Sequence, residues 1–176
     1  MVDLEYAVFA GGCFWCLEDY FSNFKGVVSV KPGYSGGLLV DPSYEMVCMG
    51  NTGHLECVRV GFDPKLCTYR DLVIAYWMQI DPTQHDGQFL DRGDAYTTAI
   101  FYANDEQKAI SEDILAQVSA MFEQVYTVLR PLDRFYEAEI RHQNYAEKNK
   151  KHYQLYKRFS GRSEVLKRLW AGKQLK

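Results

Sequence analysis

The segment Gly11-Gly12-Cys13-Phe14-Trp15-Cys16 places two thiols three residues apart, where an apolar run gives way to a helical pattern. A thiol in the first turn of a helix sits beside unpaired backbone N–H groups and the positive end of the helix dipole, which favours the thiolate. Cys13 is therefore expected to be an anionic, accessible nucleophile at the mouth of a ring-lined cavity. Side chains three apart occupy neighbouring positions of one helix face, so an adjusted first turn can join Cys13 and Cys16 as a disulfide. The paired glycines are expected to let a substrate approach the backbone closely.

A carboxyl group completes the set. In Leu55-Glu56-Cys57-Val58-Arg59-Val60-Gly61-Phe62 the alternation of a strand puts Glu56 on the side of Val58, Val60 and Phe62. A carboxyl group facing a core or pocket is desolvated and keeps its proton near neutral pH, as a general acid must. The other reading leaves Glu56 solvated at the strand's mouth or paired with Arg59 or Arg92, and alternation alone does not choose.

Three rivals attach to the cysteines. Two small apolar residues can simply pack beneath a sheet. Cys13, Cys16, His54 and Cys57 could ligate zinc in a metal-stabilised binding module, although His54 and Cys57 have opposite parity in a strand. A CxxC beside a strand and helix also suits a general disulfide oxidoreductase of thioredoxin type, but there the tryptophan precedes the first cysteine, and here Trp15 lies inside the motif.

The elements that must position these groups are legible in part. Tyr6 to Ala10 reads as a strand, and Phe14, Leu17, Phe21 and Phe24 mark one helical face closed by Gly26. Val27, Val28 and Val30 suggest a strand ending before a loop from Gly33 to Pro42, and Ser43 to Met49 a short helix. Leu55 to Phe62 is a strand; Thr68 caps a helix running to Asp81 and Pro82. Tyr96 to Tyr102 is a strand, Asn104 caps a helix to Ser119, and Tyr126 to Leu129 adds a strand. His142 to Arg158 reads as one Tyr-rich helix before a short last one with Val165, Leu166, Leu169 and Trp170.

Composition sets the frame. At 176 residues and 47% hydrophobic content the chain fills one core, so a single domain over 1–176 is expected. Arg141 to Lys176 carries eleven Lys or Arg against Glu147 and Glu164, which reads as a solvated helical face, with no nucleic-acid or membrane role. Met1 to Tyr6 does not resemble a secretory signal, and an odd cysteine count without one points to a reducing, cytoplasmic setting.

Taken in order, Gly12-Cys13-Phe14-Trp15, Gly33-Tyr34-Ser35-Gly36-Gly37, Pro42-Ser43-Tyr44, Val47-Cys48 and Thr52-Gly53-His54-Leu55-Glu56 resemble the peptide methionine sulfoxide reductase A family. The resemblance continues through Asp81-Pro82-Thr83, Asp91-Arg92-Gly93, Tyr96, Ala99-Ile100, His142-Gln143, Tyr145, Lys148-Asn149 and Ser160-Gly161-Arg162, almost the whole chain. It implies a peptide-methionine (S)-S-oxide reductase in which Cys13 attacks the sulfoxide sulfur and becomes a sulfenic acid. By the same resemblance Glu56 protonates the oxide oxygen, Tyr34 and Tyr96 hydrogen-bond it, Asp91 orients polar groups, and Phe14 and Trp15 hold the substrate methyl group. His142 and Tyr145 are left as scaffold.

Departures from the family pattern carry information too. Cys16 stands where many members have glycine, and no cysteine follows Cys67, so the Gly-rich cysteine tail that often resolves the sulfenic acid is missing. Cys16 is then the implied resolving thiol, forming a Cys13–Cys16 disulfide reduced by thioredoxin. Cys48 matches a family cysteine, whereas Cys57 and Cys67 read as bystanders. Thr97 stands where arginine is common and Leu55 where alanine is. The implied fold is α+β: a two-layer α/β sandwich with a mixed sheet, a ferredoxin-like core and an extended C-terminal segment. No bound metal or cofactor is expected, and the partners of this monomer are methionine sulfoxide, free or in proteins, and thioredoxin.

Overall fold

A computed structural model describes residues 3–176; Met1 and Val2, part of the stretch read for a secretory signal, lie outside the described residues. In chain order the elements are β1 (Glu5–Gly11), α1 (Phe14–Ser22), β2 (Val27–Ser35), α2 (Tyr44–Met49), β3 (Leu55–Phe62), α3 (Tyr69–Trp77), β4 (Gly87–Gln88), β5 (Asp91–Arg92), β6 (Thr98–Tyr102), α4 (Asp105–Ser119), β7 (Val128–Pro131), β8 (Phe135–Glu137), α5 (Tyr145–Lys148), α6 (Lys150–Phe159) and α7 (Arg162–Leu169). Single 3-10 turns occupy Asp94–Tyr96 and Ile140–His142.

The fold is mixed α+β. Six strands form one sheet in the order β7-β6-β1-β3-β2-β8, antiparallel except for the parallel pair β6–β7, and β4 and β5 form a separate small hairpin. Alternation divides the sheet's side chains. Phe9, Val58, Val60, Phe62 and Ile100 join the main core with Phe14, Leu17 and Phe21 of α1, Leu72 and Tyr76 of α3 and Ile114 of α4. Phe9 is stacked between Phe21 and Tyr76, with ring centroids 5.5 and 4.9 Å away. The smaller cluster of the other face holds Val8, Ala10, Leu55, Cys57, Ala99 and Phe101.

Local chemistry sets the helix starts. The Thr68 hydroxyl accepts the Asp71 N–H while the Asp71 carboxylate accepts the Thr68 N–H at 2.8 Å, a reciprocal cap on α3. The Asn104 side chain accepts the Gln107 N–H at 2.9 Å, and Ser43 accepts that of Met46.

Several boundaries differ from the sequence reading. α1 ends at Ser22 with Asn23 as its cap, before Gly26. β2 runs through Pro32 and Gly33 to Ser35, because β8 pairs with it only from Gly33 onward and the N–H that Pro32 lacks is not needed there. α3 stops at Trp77, and β6 begins at Thr98 because Asp94–Tyr96 turn instead. The expected helix from His142 to Arg158 is broken at Asn144, which is left-handed at φ 54°, and again at Asn149, where α5 gives way to α6. β7 is shifted toward Pro131, and β8 and the β4–β5 hairpin had no counterpart in the sequence reading.

Candidate active site

Cys13 follows β1 as the N-cap residue of α1, and Cys16 lies one turn into the helix, its N–H donating to the Cys13 carbonyl at 3.1 Å. The two thiols lie in one buried cluster. Burial pushes the Cys13 thiol well up, and the neighbouring Cys16, Glu56 and Asp91 add to the effect. Cys16 is brought down to about 6 by the hydrogen bond from Cys13 and by the Arg162 guanidinium, against its own desolvation. Cys13 sits ahead of the helical turn as its N-cap residue, so the first-turn placement expected of it is corrected, and burial opposes the thiolate that the helix dipole favours.

The expectation of an exposed sulfur is corrected as well. Cys13 is 4% and Cys16 5% exposed, in a cluster with Tyr153 and, around it, Trp15, Tyr145 and Tyr156. Tyr156 of α6 donates to the Asp91 carboxylate, Tyr153 donates to Asp19 at 3.0 Å, and Lys157 pairs with the same Asp19 oxygen at 3.0 Å. The C-terminal helices therefore close over the thiols. Nor do the paired glycines open the backbone to a substrate. Gly12 has φ +81°, and a Cβ there would lie 2.6 Å from Gln88 Cβ and 3.1 Å from Arg162 Nη2, so the space is already filled.

Glu56 projects to the main-core side of β3, opposite Tyr34 of β2, and is 2% exposed. Its Oε2 accepts the backbone N–H of Phe14 at 3.0 Å. Desolvation raises its pKa to about 8, partly opposed by that bond. The pairings weighed for it are taken elsewhere: Arg59 pairs with Glu137 and Arg92 with Asp86.

The remaining expected residues gather around these groups with other bonds than foreseen. Tyr34 is fully buried and donates its hydroxyl to Glu139 at 2.9 Å, and Glu139 also accepts the Tyr44 N–H at 2.8 Å. The Tyr96 hydroxyl contacts Cys48 Sγ at 3.7 Å. Asp91 is raised by burial, offset by the Tyr156 bond and Arg162. Phe14 packs against Tyr34, Tyr44 and His142, and Trp15 lies flat on Tyr145 with centroids 3.8 Å apart. His142 and Tyr145, read as scaffold, thus wall the site. Next to it, a groove of about 690 Å³ is lined by Trp15, Tyr44, Cys48, Met49, Arg141 and His142, among others.

Sequence reasoning gave no site role to Tyr44 and Arg162, which it read only within motifs, and missed Glu139, Tyr153 and Tyr156. Tyr153 and Tyr156 are three apart in a Tyr-rich helix, a spacing that puts both on one face; Glu139 had no such pattern. The zinc set is not assembled. His54 accepts the Gly37 N–H on Nδ1 and bonds the Leu39 carbonyl through Nε2, and Cys57 belongs to the opposite face of the sheet.

Comparisons with known proteins show the family. Residues 5–174 match the family model described as peptide methionine sulfoxide reductase. The chain is 44% identical over 172 residues to peptide methionine sulfoxide reductase MsrA of Listeria monocytogenes serotype 4a (strain HCC23), covering 96% of this chain and 97% of that protein. It is 49% identical over 153 residues to the MsrA of Streptococcus pyogenes serotype M49 (strain NZ131), covering 85% and 90%. Among solved structures, methionine sulfoxide reductase A of Corynebacterium diphtheriae superposes with a TM-score of 0.75 at 32% identity, over 84% of this chain and 76% of that one. Mxr1 of Saccharomyces cerevisiae in reduced form superposes with a TM-score of 0.76 at 30% identity, over 86% and 90%. The chain belongs to the peptide methionine sulfoxide reductase family.

Proposed function

We propose that this chain reduces methionine (S)-sulfoxide, free or in proteins, to methionine, with Cys13 as nucleophile, Glu56 as acid and Cys16 as resolving thiol. The single observation that carries the reading is the Glu56 carboxyl, protonated near neutral pH and bonded to the residue after Cys13. The Cys13 and Cys16 sulfurs share one proton. When that proton passes to Cys16, the Cys13 sulfur attacks the sulfoxide sulfur and Glu56 protonates the oxide oxygen. Methionine leaves, its sulfur reduced by two electrons, and Cys13 is left as the sulfenic acid. Cys16 then displaces the hydroxyl, giving the Cys13–Cys16 disulfide and water.

Tyr34 and Tyr96 take the oxide oxygen by exchanging their present bonds to Glu139 and Cys48, Asp91 orients the polar groups, and Phe14 and Trp15 hold the methyl group. Substrate entry requires α5 and α6 to move, since Tyr145, Tyr153 and Tyr156 now cover Trp15 and the thiols. Electrons come from thioredoxin by thiol exchange at the disulfide, with no metal, flavin or nicotinamide held by the chain. The fold supports a finer reading as two layers with a ferredoxin-like centre, since β1-α1-β2-β3-α3-β6 run in that order and lie in the sheet as β6-β1-β3-β2. We take the chain as one domain over 1–176, monomeric and cytoplasmic.

Turnover of each methionine sulfoxide epimer with thioredoxin supplied tests the reading. Reduction of the S epimer is expected. Activity on the R epimer alone, or insulin reduction without sulfoxide reduction, overturns it.

A further inference from the structure

Arg162 is a buried cation, 4% exposed, at the first position of α7. Its Nη1 donates to the Gln79 carbonyl at 2.8 Å and its Nη2 to the Gly11 carbonyl at 3.1 Å, and its guanidinium stacks on Phe89 at 4.4 Å. Its Nε has no partner, and among the described residues no carboxylate lies within ion-pair distance of it. Asp91, the acid that feels its charge, is bonded to Tyr156 instead. A charge taken out of water without a counter-ion is costly, and two carbonyl dipoles do not neutralise it.

One of the thiols shares its surroundings. Cys16 and Arg162 line the same groove of about 700 Å³, together with Tyr153 and Lys157. Gly11 and Gly12 hold the guanidinium against the backbone just ahead of Cys13: one gives its carbonyl, and the other leaves room that a side chain would take.

We infer that Arg162 is a positioning residue for the resolving step: its guanidinium, pinned between Gly11 and Gln79, is the fixed counter-ion of the Cys16 sulfur. The inference rests on the reading of Cys16 as the resolving thiol. In that step the Cys16 thiolate attacks the Cys13 sulfenic sulfur, the S–S bond forms and the S–O bond breaks. Hydroxide leaves and takes a proton from solvent to become water. The two-electron oxidation that the Cys13 sulfur held as sulfenic acid is then shared between the two sulfurs of the disulfide, and Arg162 is unchanged. The groups that face Cys16 are Cys13, Tyr153, Tyr156, Asp91, Glu56 and Arg162, and Asp19 and Lys157 line the same groove as an ion pair at 3.0 Å; Arg162 is the cation not already paired with a carboxylate, and its attraction acts in the same sense as the lowered Cys16 thiol.

The test titrates Cys16 directly, by the pH dependence of its alkylation by iodoacetamide in a Cys13→Ser background with Cys48, Cys57 and Cys67 resolved by peptide mass. Arg162→Gln, which keeps a donor but removes the charge, is expected to raise the midpoint by about a unit, and Arg162→Lys to restore part of the shift. In the chain with Cys13 intact, Arg162→Gln is expected to slow the decay of dimedone-trappable sulfenic acid at pH 7 by about tenfold, with recovery as pH rises. A midpoint that does not move in folded Arg162→Gln overturns the inference, as does a midpoint near the ordinary thiol value with Arg162 in place. The second comparison needs no Arg162 variant to fold. The titration also reads the Arg162–Cys16 pairing whether or not sulfoxide is reduced, so its failure is distinct from failure of the proposed activity.

Discussion

Glu56 accepts the backbone N–H of Phe14 at 3.0 Å, so the acid of β3 is bonded across the core to the residue that follows Cys13. One hydrogen bond therefore holds proton donor and sulfur in a common frame, across 42 positions of sequence. The same burial that makes the bond strong keeps the carboxyl protonated up to about pH 8.

A pH profile follows from the two shifted groups. The single-turnover rate is expected to rise through about pH 6, as the thiol pair loses its first proton, and to fall through about pH 8, as Glu56 ionises. Glu56→Gln should lower the rate by about 10²- to 10⁴-fold and remove the alkaline limb. Rapid-quench measurement of methionine formed checks both; a rate that holds level through the alkaline range contradicts the role of Glu56.

Stability should carry the same signature. The folded pKa of Glu56 lies above its unfolded value, so the folded state keeps a proton that the unfolded chain releases. Stability is complete below the unfolded value, near pH 4, and declines as pH rises toward about 8. Glu56→Gln, with no proton to lose, is expected to match the parent near about pH 4 and to exceed it by a few kcal/mol at alkaline pH. Urea unfolding at the two pH values measures the difference.

The cover over the thiols has two tyrosine hydroxyls in it. Tyr156→Phe removes the bond to Asp91 and should loosen α6, raising the rate at which iodoacetamide labels Cys13 and Cys16 several-fold, while buried Cys57 stays protected. Labelling followed by peptide mass analysis resolves the sites. Equal labelling in parent and variant would show that Tyr156 does not hold the helix closed.

How much of this was legible in the sequence depends on the range of the interaction. The side of β3 that carries Glu56 follows from alternation with Val58, Val60 and Phe62, and the caps at Thr68 and Asn104 are local chemistry within three residues. The Cys13–Cys16 spacing and the family motifs were readable for the same reason. What was hidden is long-range. Tyr34 to Glu139 and Arg162 to Gly11 join residues more than a hundred positions apart, and nothing near either partner marks it. The dipole argument for a Cys13 thiolate left out desolvation and a neighbouring thiol, which act against a helix terminus worth about 0.3–1 kcal/mol at exposed sites. The single helix expected over His142 to Arg158 failed because Asn144 and Asn149 take non-helical geometry to wrap the chain over Trp15.

Removal of the resolving thiol should separate the two halves of the cycle. Cys16→Ser is expected to reduce one equivalent of sulfoxide and then stall with thioredoxin present, with dimedone-reactive sulfur at Cys13. Continued multiple turnover would remove Cys16 from the cycle, and Cys13→Ser should form no methionine at all.

The most direct measurement is a thiol map after one equivalent of methionine (S)-sulfoxide without reductant. Alkylation and peptide mass analysis should find Cys48, Cys57 and Cys67 free, and the peptide holding Cys13 and Cys16 lighter by two hydrogens and unalkylated until it is reduced. A link from Cys13 to Cys48, or an alkylatable Cys13–Cys16 pair after methionine has formed, would contradict it.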